Sequence, residues 1–205
     1  MKKYGLFGGS FDPPHIGHLR LARAAADAFG LDTVFIVPSG QSPGKHAPFA
    51  DDYDRLLMCE MTFEDDTRFV IDDRELRRGG TSYTVDTLSE LQEEYNPEAV
   101  SGVTLANTWC VIAGEDCLES FHTWKNYREI LRRAFLAIAR REQSGAPFRH
   151  ARLSPEERSR VRFIDTEPTV ISSTEIRAAI ANGVDFSSFV APAAAEFIAR
   201  EGLYL

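Results

Sequence analysis

Gly8-Gly9-Ser10-Phe11-Asp12-Pro13-Pro14-His15-Ile16-Gly17-His18 is the stretch on which the reading of this chain turns. It follows Tyr4–Phe7, an apolar run with the look of a strand. It leads into Leu19–Phe29, whose apolar residues recur at helical spacing and which stops at Gly30, a natural left-handed C-cap. A glycine turn between a strand and a helix is where an open parallel sheet binds its ligands. Gly8 and Gly9 put no Cβ between the backbone and an approaching phosphate. The free N–H groups at the helix start, aided by the helix dipole, form an anion site. His15 and His18, three apart, share a face of the first turn. Two imidazoles there can donate hydrogen bonds to phosphate oxygens as negative charge builds up.

Outward from this loop, short apolar runs alternate with amphipathic segments. Thr33–Val37 is a β-branched strand ending at Pro38, Asp54–Phe63 a helix and Arg68–Asp72 a short strand. Thr84–Tyr95 is a helix that Asn96-Pro97 ends, and Trp109–Ala113 and Ala134–Ala139 are buried strands. Val161–Ile164 is a last strand, before helices at Thr174–Asn182 and Pro192–Arg200. This order predicts an α/β fold, an open Rossmann-like parallel sheet with helices on both faces. A length of 205 residues suits one domain covering residues 1–205. No internal repeat or low-complexity tract interrupts it.

A composition of 43% hydrophobic and 26% charged residues excludes a disordered tail, a collagen-like repeat and a disulfide mini-protein. Lys and Arg number 23 against 31 Asp and Glu, a net charge of −8, which argues against nucleic acid as a partner. The charge is uneven. Acidic residues dominate from Asp51 to Glu98 and basic ones from Lys125 to Arg162, either as solvated helix faces or, for part of the basic segment, facing an anionic substrate. Cys59, Cys110 and Cys117 are an odd set without a C-x-x-C pair, which points to a reducing compartment, the cytoplasm. The apolar run after Lys2-Lys3 breaks at Ser10, Asp12 and Pro13, too early for a signal peptide. No stretch approaches the roughly 18 apolar residues of a membrane span, so no membrane partner is expected.

Other readings of the first loop fit less well. Gly5, Gly8 and Gly9 do not match the G-x-G-x-x-G of a dinucleotide loop. His15 and His18 lack a third and fourth ligand at zinc-site spacing, so no protein-held metal is expected. A purely structural histidine pair would have to put two of the chain's five histidines beside a glycine turn by chance.

With His15-Ile16-Gly17-His18 as its H-x-G-H, the loop resembles the signature of the nucleotidylyltransferase superfamily. Class I aminoacyl-tRNA synthetases share those letters but need further domains. The superfamily's second signature is similar to Ile171-Ser172-Ser173-Thr174-Glu175-Ile176-Arg177, an N-cap pattern with a cation one turn in. Three more segments resemble nicotinate-nucleotide adenylyltransferases: Ser82-Tyr83-Thr84 at a helix start, Gly114-Glu115-Asp116 after a strand, and Phe121-His122-Thr123-Trp124. The likeness continues at Val37-Pro38-Ser39, Arg55 and Leu203-Tyr204, in the same order over essentially the whole chain. Two places depart from it. Ser42-Pro43-Gly44-Lys45-His46 has glycine where the family has histidine, leaving His46 or Lys45 to serve. Arg140-Arg141-Glu142 replaces the family's R-P-G.

The resemblance implies adenylyl transfer from ATP to nicotinate mononucleotide. A phosphopantetheine adenylyltransferase or a silent nucleotide sensor is the alternative. It implies that His15, His18, Lys45 and Arg177 meet the ATP phosphates, with Gly8, Gly9, Ser10, Phe11, Ser172, Ser173 and Thr174 lining the nucleotide and Asp116 at adenosine or metal. Ser82, Tyr83, Thr84, Trp124 and His46 are implied for the mononucleotide. The nicotinate carboxylate would meet main-chain N–H groups near Tyr83, and the cationic ring would lie on Trp124. Mg²⁺ would arrive on ATP, held by phosphates and water. Whether copies of the chain assemble into a homo-oligomer is left open.

Overall fold

The computed structural model describes residues 2–44, 46–95, 108–139, 152–166 and 171–205. Six strands lie among them: β1 (Tyr4–Gly9), β2 (Thr33–Pro38), β3 (Phe69–Ile71), β4 (Trp109–Gly114), β5 (Phe135–Ala139) and β6 (Val161–Ile164). They form one parallel sheet in the order β3-β2-β1-β4-β5-β6. The order reverses at β1, whose Leu6 pairs with Phe35 on one side and Val111 on the other. The crevice at the carboxyl ends of β1 and β4 is therefore the switch point where such sheets bind ligands.

Side chains alternate faces along each strand, and the sheet is covered on both. Tyr4, Leu6, Phe35, Trp109 and Val111 form one core with α4 (Thr84–Tyr95) and α6 (Tyr127–Arg133). Phe7, Val34, Ile36, Cys110 and Ile112 form the other with Ala22, Ala25 and Ala26 of α1 (Ile16–Phe29) and Cys59 and Phe63 of α2 (Asp52–Phe63). A third cluster joins Met58 of α2 to Ile176 and Ile180 of α8 (Ser173–Ala181) and Phe197 and Ile198 of α9 (Pro192–Glu201). That cluster seats α8 and the carboxyl terminus beside the first loop.

The open parallel sheet with helices on both faces agrees with the pattern of the sequence, with local differences. Gly8 and Gly9 continue β1, in register with Val37 and Pro38, so the turn begins at Ser10. Helix α1 starts at Ile16 rather than Leu19, because His15 caps it, and Gly30 at φ 60° closes it as expected. Four short helices escape the periodicity: α3 (Arg74–Arg78), α5 (Asp116–Ser120), α6 and α7 (Pro155–Ser159). Asn96-Pro97, expected to end α4, lies outside the described residues. No helix among the described residues is long and apolar enough to cross a membrane.

Candidate active site

The two histidines of the first loop cap α1 for one another. His15 Nδ1 accepts the Gly17 N–H at 3.1 Å, and His18 Nδ1 accepts the His15 N–H at 3.1 Å. Their rings lie 3.7 Å apart between centroids. With both Nδ1 atoms accepting, a neutral ring carries its proton on Nε2. His15 is only 7% exposed, and burial pushes its pKa down to about 4, opposed in part by the negative Glu175. It therefore stands as a neutral donor at pH 7. The Phe11 ring is buried and meets His18 edge-on at 5.0 Å, so only the main chain of Phe11 is left for a nucleotide. That ring also sets the glycine at position 9, where a Cβ would lie 3.1 Å from it, whereas at Gly8 it would make only ordinary contact, 4.0 Å from the Val37 carbonyl.

Arg55 ties the ends of two strands together. Fully buried, its Nη1 donates to the Ser10 and Ser39 carbonyls at 2.7 Å each, and its Nη2 pairs with Asp52 at 2.5 Å. Asp12 is the second organiser. Its carboxylate accepts the N–H groups of Phe49 and Ala50 at 2.8 and 3.0 Å and the Tyr204 hydroxyl at 2.9 Å.

The second signature docks onto the first. Ser173 Oγ donates to the Pro13 carbonyl at 2.9 Å, and Arg177 Nη1 donates to the Asp12 carbonyl at 2.6 Å. Arg177 also bonds Thr174 Oγ1 at 3.2 Å, with its guanidinium 4.5 Å from the Phe49 ring centroid. The helix start is less open than the sequence suggests. Ser172 and Glu175 form a capping box, so the Glu175 N–H is occupied at 3.2 Å and a carboxylate sits in the first turn. Ser172 is thus engaged within its own helix.

A chain of contacts leads on to the other expected pocket. Ser39 N–H donates to the Gly9 carbonyl at 2.8 Å, and Gly40 N–H donates to Ser82 Oγ at 3.1 Å. Ser82 is buried beside Glu75, whose carboxyl burial raises in pKa and the Thr87 and Ser82 hydroxyls pull back. Ser82 thus holds the loop after β2 rather than facing solvent. Tyr83 and Thr84 are half-buried at the start of α4, and no described residue takes up their N–H groups. Lys125, next in the chain to Trp124, stands 4.4 Å over the Tyr83 ring and bonds Asp86 at 2.8 Å. Trp124 is half-buried, tilted 56° to Phe121 at 5.2 Å.

Asp116 is exposed at the first position of α5, past the end of β4, and His46 is exposed on the loop before α2. Lys45, Arg140 and Arg141 lie outside the described residues. Sequence reasoning gave no role to Asp12, Glu75 or Phe49. No pattern marks which polar side chains turn inward, although an aspartate inside a glycine–proline loop is a hint for Asp12.

A family model described as cytidylyltransferase-like matches residues 6–179. A protein of Neisseria meningitidis serogroup B, named "Probable nicotinate-nucleotide adenylyltransferase", is 38% identical over 100% of this chain and 99% of its own. A protein of the same name from Aeromonas hydrophila is 34% identical over 98% of this chain and 96% of its own. In fold, the chain is similar to the Plasmodium falciparum nicotinic acid mononucleotide adenylyltransferase complexed with NaAD. That likeness has a TM-score of 0.72 at 17% identity and covers 100% of this chain and 98% of that one. Signature loops, sheet order and full-length relatives agree: the chain belongs to the cytidylyltransferase-like family and, within it, to the nicotinate-nucleotide adenylyltransferases.

Proposed function

We propose that this enzyme transfers the adenylyl group of ATP to nicotinate mononucleotide, giving deamido-NAD and pyrophosphate. The observation that carries this reading is the docking of α8 on the first loop through Ser173 and Arg177. It brings the two stretches assigned to the ATP phosphates together.

In the proposed reaction a phosphate oxygen of the mononucleotide attacks the α-phosphorus of ATP in line. The bond from that phosphorus to the bridging oxygen breaks, and pyrophosphate leaves with the electron pair. The attacking phosphate is already an anion, so the enzyme's work is positioning and charge stabilisation, with no covalent intermediate. His18 Nε2–H donates to the oxygens that gain charge, with His15 and Arg177 beside it. Lys45 is assigned to the same phosphates and His46 to the mononucleotide.

ATP is taken as its Mg²⁺ complex. Among the described residues no group of three or more His, Cys, Asp or Glu could hold a metal. The loop instead offers imidazole, guanidinium and main-chain donors, which suit phosphate oxygens. The metal would then be held by phosphate and water, with Asp116 assigned to adenosine or to the metal, and would offset charge on the leaving pyrophosphate. An odd set of three cysteines and a reaction that draws on ATP support a cytoplasmic location on this reading.

The test is to mix the pure protein with Mg²⁺-ATP and each acceptor and measure pyrophosphate. Release with nicotinate mononucleotide is expected. Release with phosphopantetheine alone would overturn the assignment.

A further inference from the structure

Tyr204, the penultimate residue, holds a conformation that a bulky side chain rarely adopts. Its φ is +67°, in the left-handed region that favours glycine. Such strain persists only where surrounding contacts outweigh it. Here the contact is internal to the site. The Tyr204 hydroxyl donates to Asp12 Oδ1 at 2.9 Å, and Asp12 is 4% exposed.

The Asp12 carboxylate also takes the N–H groups of Phe49 and Ala50, just ahead of the Asp51 cap of α2. Its Oδ2 lies 3.8 Å from Arg177 Nη1, which bonds the carbonyl of the same residue at 2.6 Å. One hydroxyl thus reaches a group that joins the first loop, the loop before α2 and the cation on α8. The Tyr204 hydroxyl lies within the fields of both Arg177 and Asp12, which act on it in opposite senses. Tyr204 is half-buried and packs against the cluster between α2, α8 and α9.

We infer that Tyr204 is a positioning residue: its hydroxyl clamps Asp12 and, through Asp12, sets Arg177 against the ATP phosphates. The carboxyl terminus is therefore part of the nucleotide site without touching the nucleotide. This rests on the assignment of Arg177 to ATP, so binding and turnover are to be read separately.

Tyr204→Phe removes only the hydroxyl. Affinity for a non-hydrolysable ATP analogue, by calorimetry, and kcat/KM for ATP should each fall on the order of tenfold, with KM for nicotinate mononucleotide little changed. The decisive arm is a double-mutant cycle with Arg177→Lys, which keeps the charge but cannot hold the Asp12 carbonyl and Thr174 as a planar fork does. In that background Tyr204→Phe should change analogue affinity by less than about twofold. Equal losses in both backgrounds, or a lowered Tm with unchanged affinity per folded molecule, would overturn the inference. A wild-type protein that binds the analogue yet releases no pyrophosphate would defeat adenylyl transfer, while the affinity cycle still decides the role of Tyr204.

Discussion

His15 and His18 each spend Nδ1 on the start of α1. Because Nδ1 of each accepts a main-chain N–H, the ring plane and tautomer are set before substrate arrives. His18→Ala should then cost on the order of 10²–10³ in kcat, as removal of an oxyanion donor does, with the fold retained. Near wild-type kcat would remove His18 from the reaction. His15 carries a second consequence. Its folded pKa, about 4, lies below the ordinary 6.5, so the unfolded chain binds the extra proton between those values. The stability this contributes is present above pH 6.5 and is lost as pH falls toward 4. The loss is on the order of 3 kcal/mol over that window. His15→Asn keeps a capping oxygen but cannot titrate there. Urea unfolding at pH 7 and pH 4.5 should show a smaller acid loss in the variant than in the wild type, and equal losses would contradict the assignment.

Among the elements, those that bury an apolar face are legible from spacing. Val161–Ile164 and Thr84–Tyr95 match at both ends, since a short strand with Val161, Phe163 and Ile164 apolar and a twelve-residue amphipathic helix each need a distinct period. Helix α3 has five residues, too few for a period to show, and α6 starts from Asn126 at φ 51° without a side-chain cap. Helix α7 did carry a readable signal in Ser154-Pro155-Glu156-Glu157, a capping box with proline at its first position. The histidines and the serine–arginine helix start can be read because chemistry restricts residue type there. The inward turn of Ser82, Asp12 and Arg55 cannot, because it depends on which loops meet. Arg55 shows what such a residue is worth to two elements. Arg55→Met would strand the Ser10 and Ser39 carbonyls at the ends of β1 and β2, at a cost of about 2–4 kcal/mol. Chemical denaturation should show that loss together with a lower kcat/KM for ATP. An unchanged midpoint would mean that water replaces the guanidinium.

At the scale of the molecule, the contacts from Gly9 through Ser39, Gly40 and Ser82 link the end of β1 to the start of α4. Selectivity between pyridine mononucleotides then falls to the α4 end of that chain. The N–H groups of Tyr83 and Thr84 offer donors to a carboxylate, and Lys125 adds positive charge at the Tyr83 ring. Nicotinamide mononucleotide would present an amide NH₂ to those donors. An unpaired buried donor costs about 1–3 kcal/mol, and the lost charge-assisted bond adds to it. The acid should therefore be preferred on the order of 10²-fold or more in kcat/KM. On the proposed stacking of Trp124 against the ring of either substrate, Trp124→Ala should lower turnover of both and leave their ratio near the wild-type value. Equal kcat/KM for acid and amide would overturn the donor pocket at Tyr83 and Thr84 while leaving adenylyl transfer intact. A ratio that collapses in Trp124→Ala would move the discrimination from the start of α4 to the stacked ring.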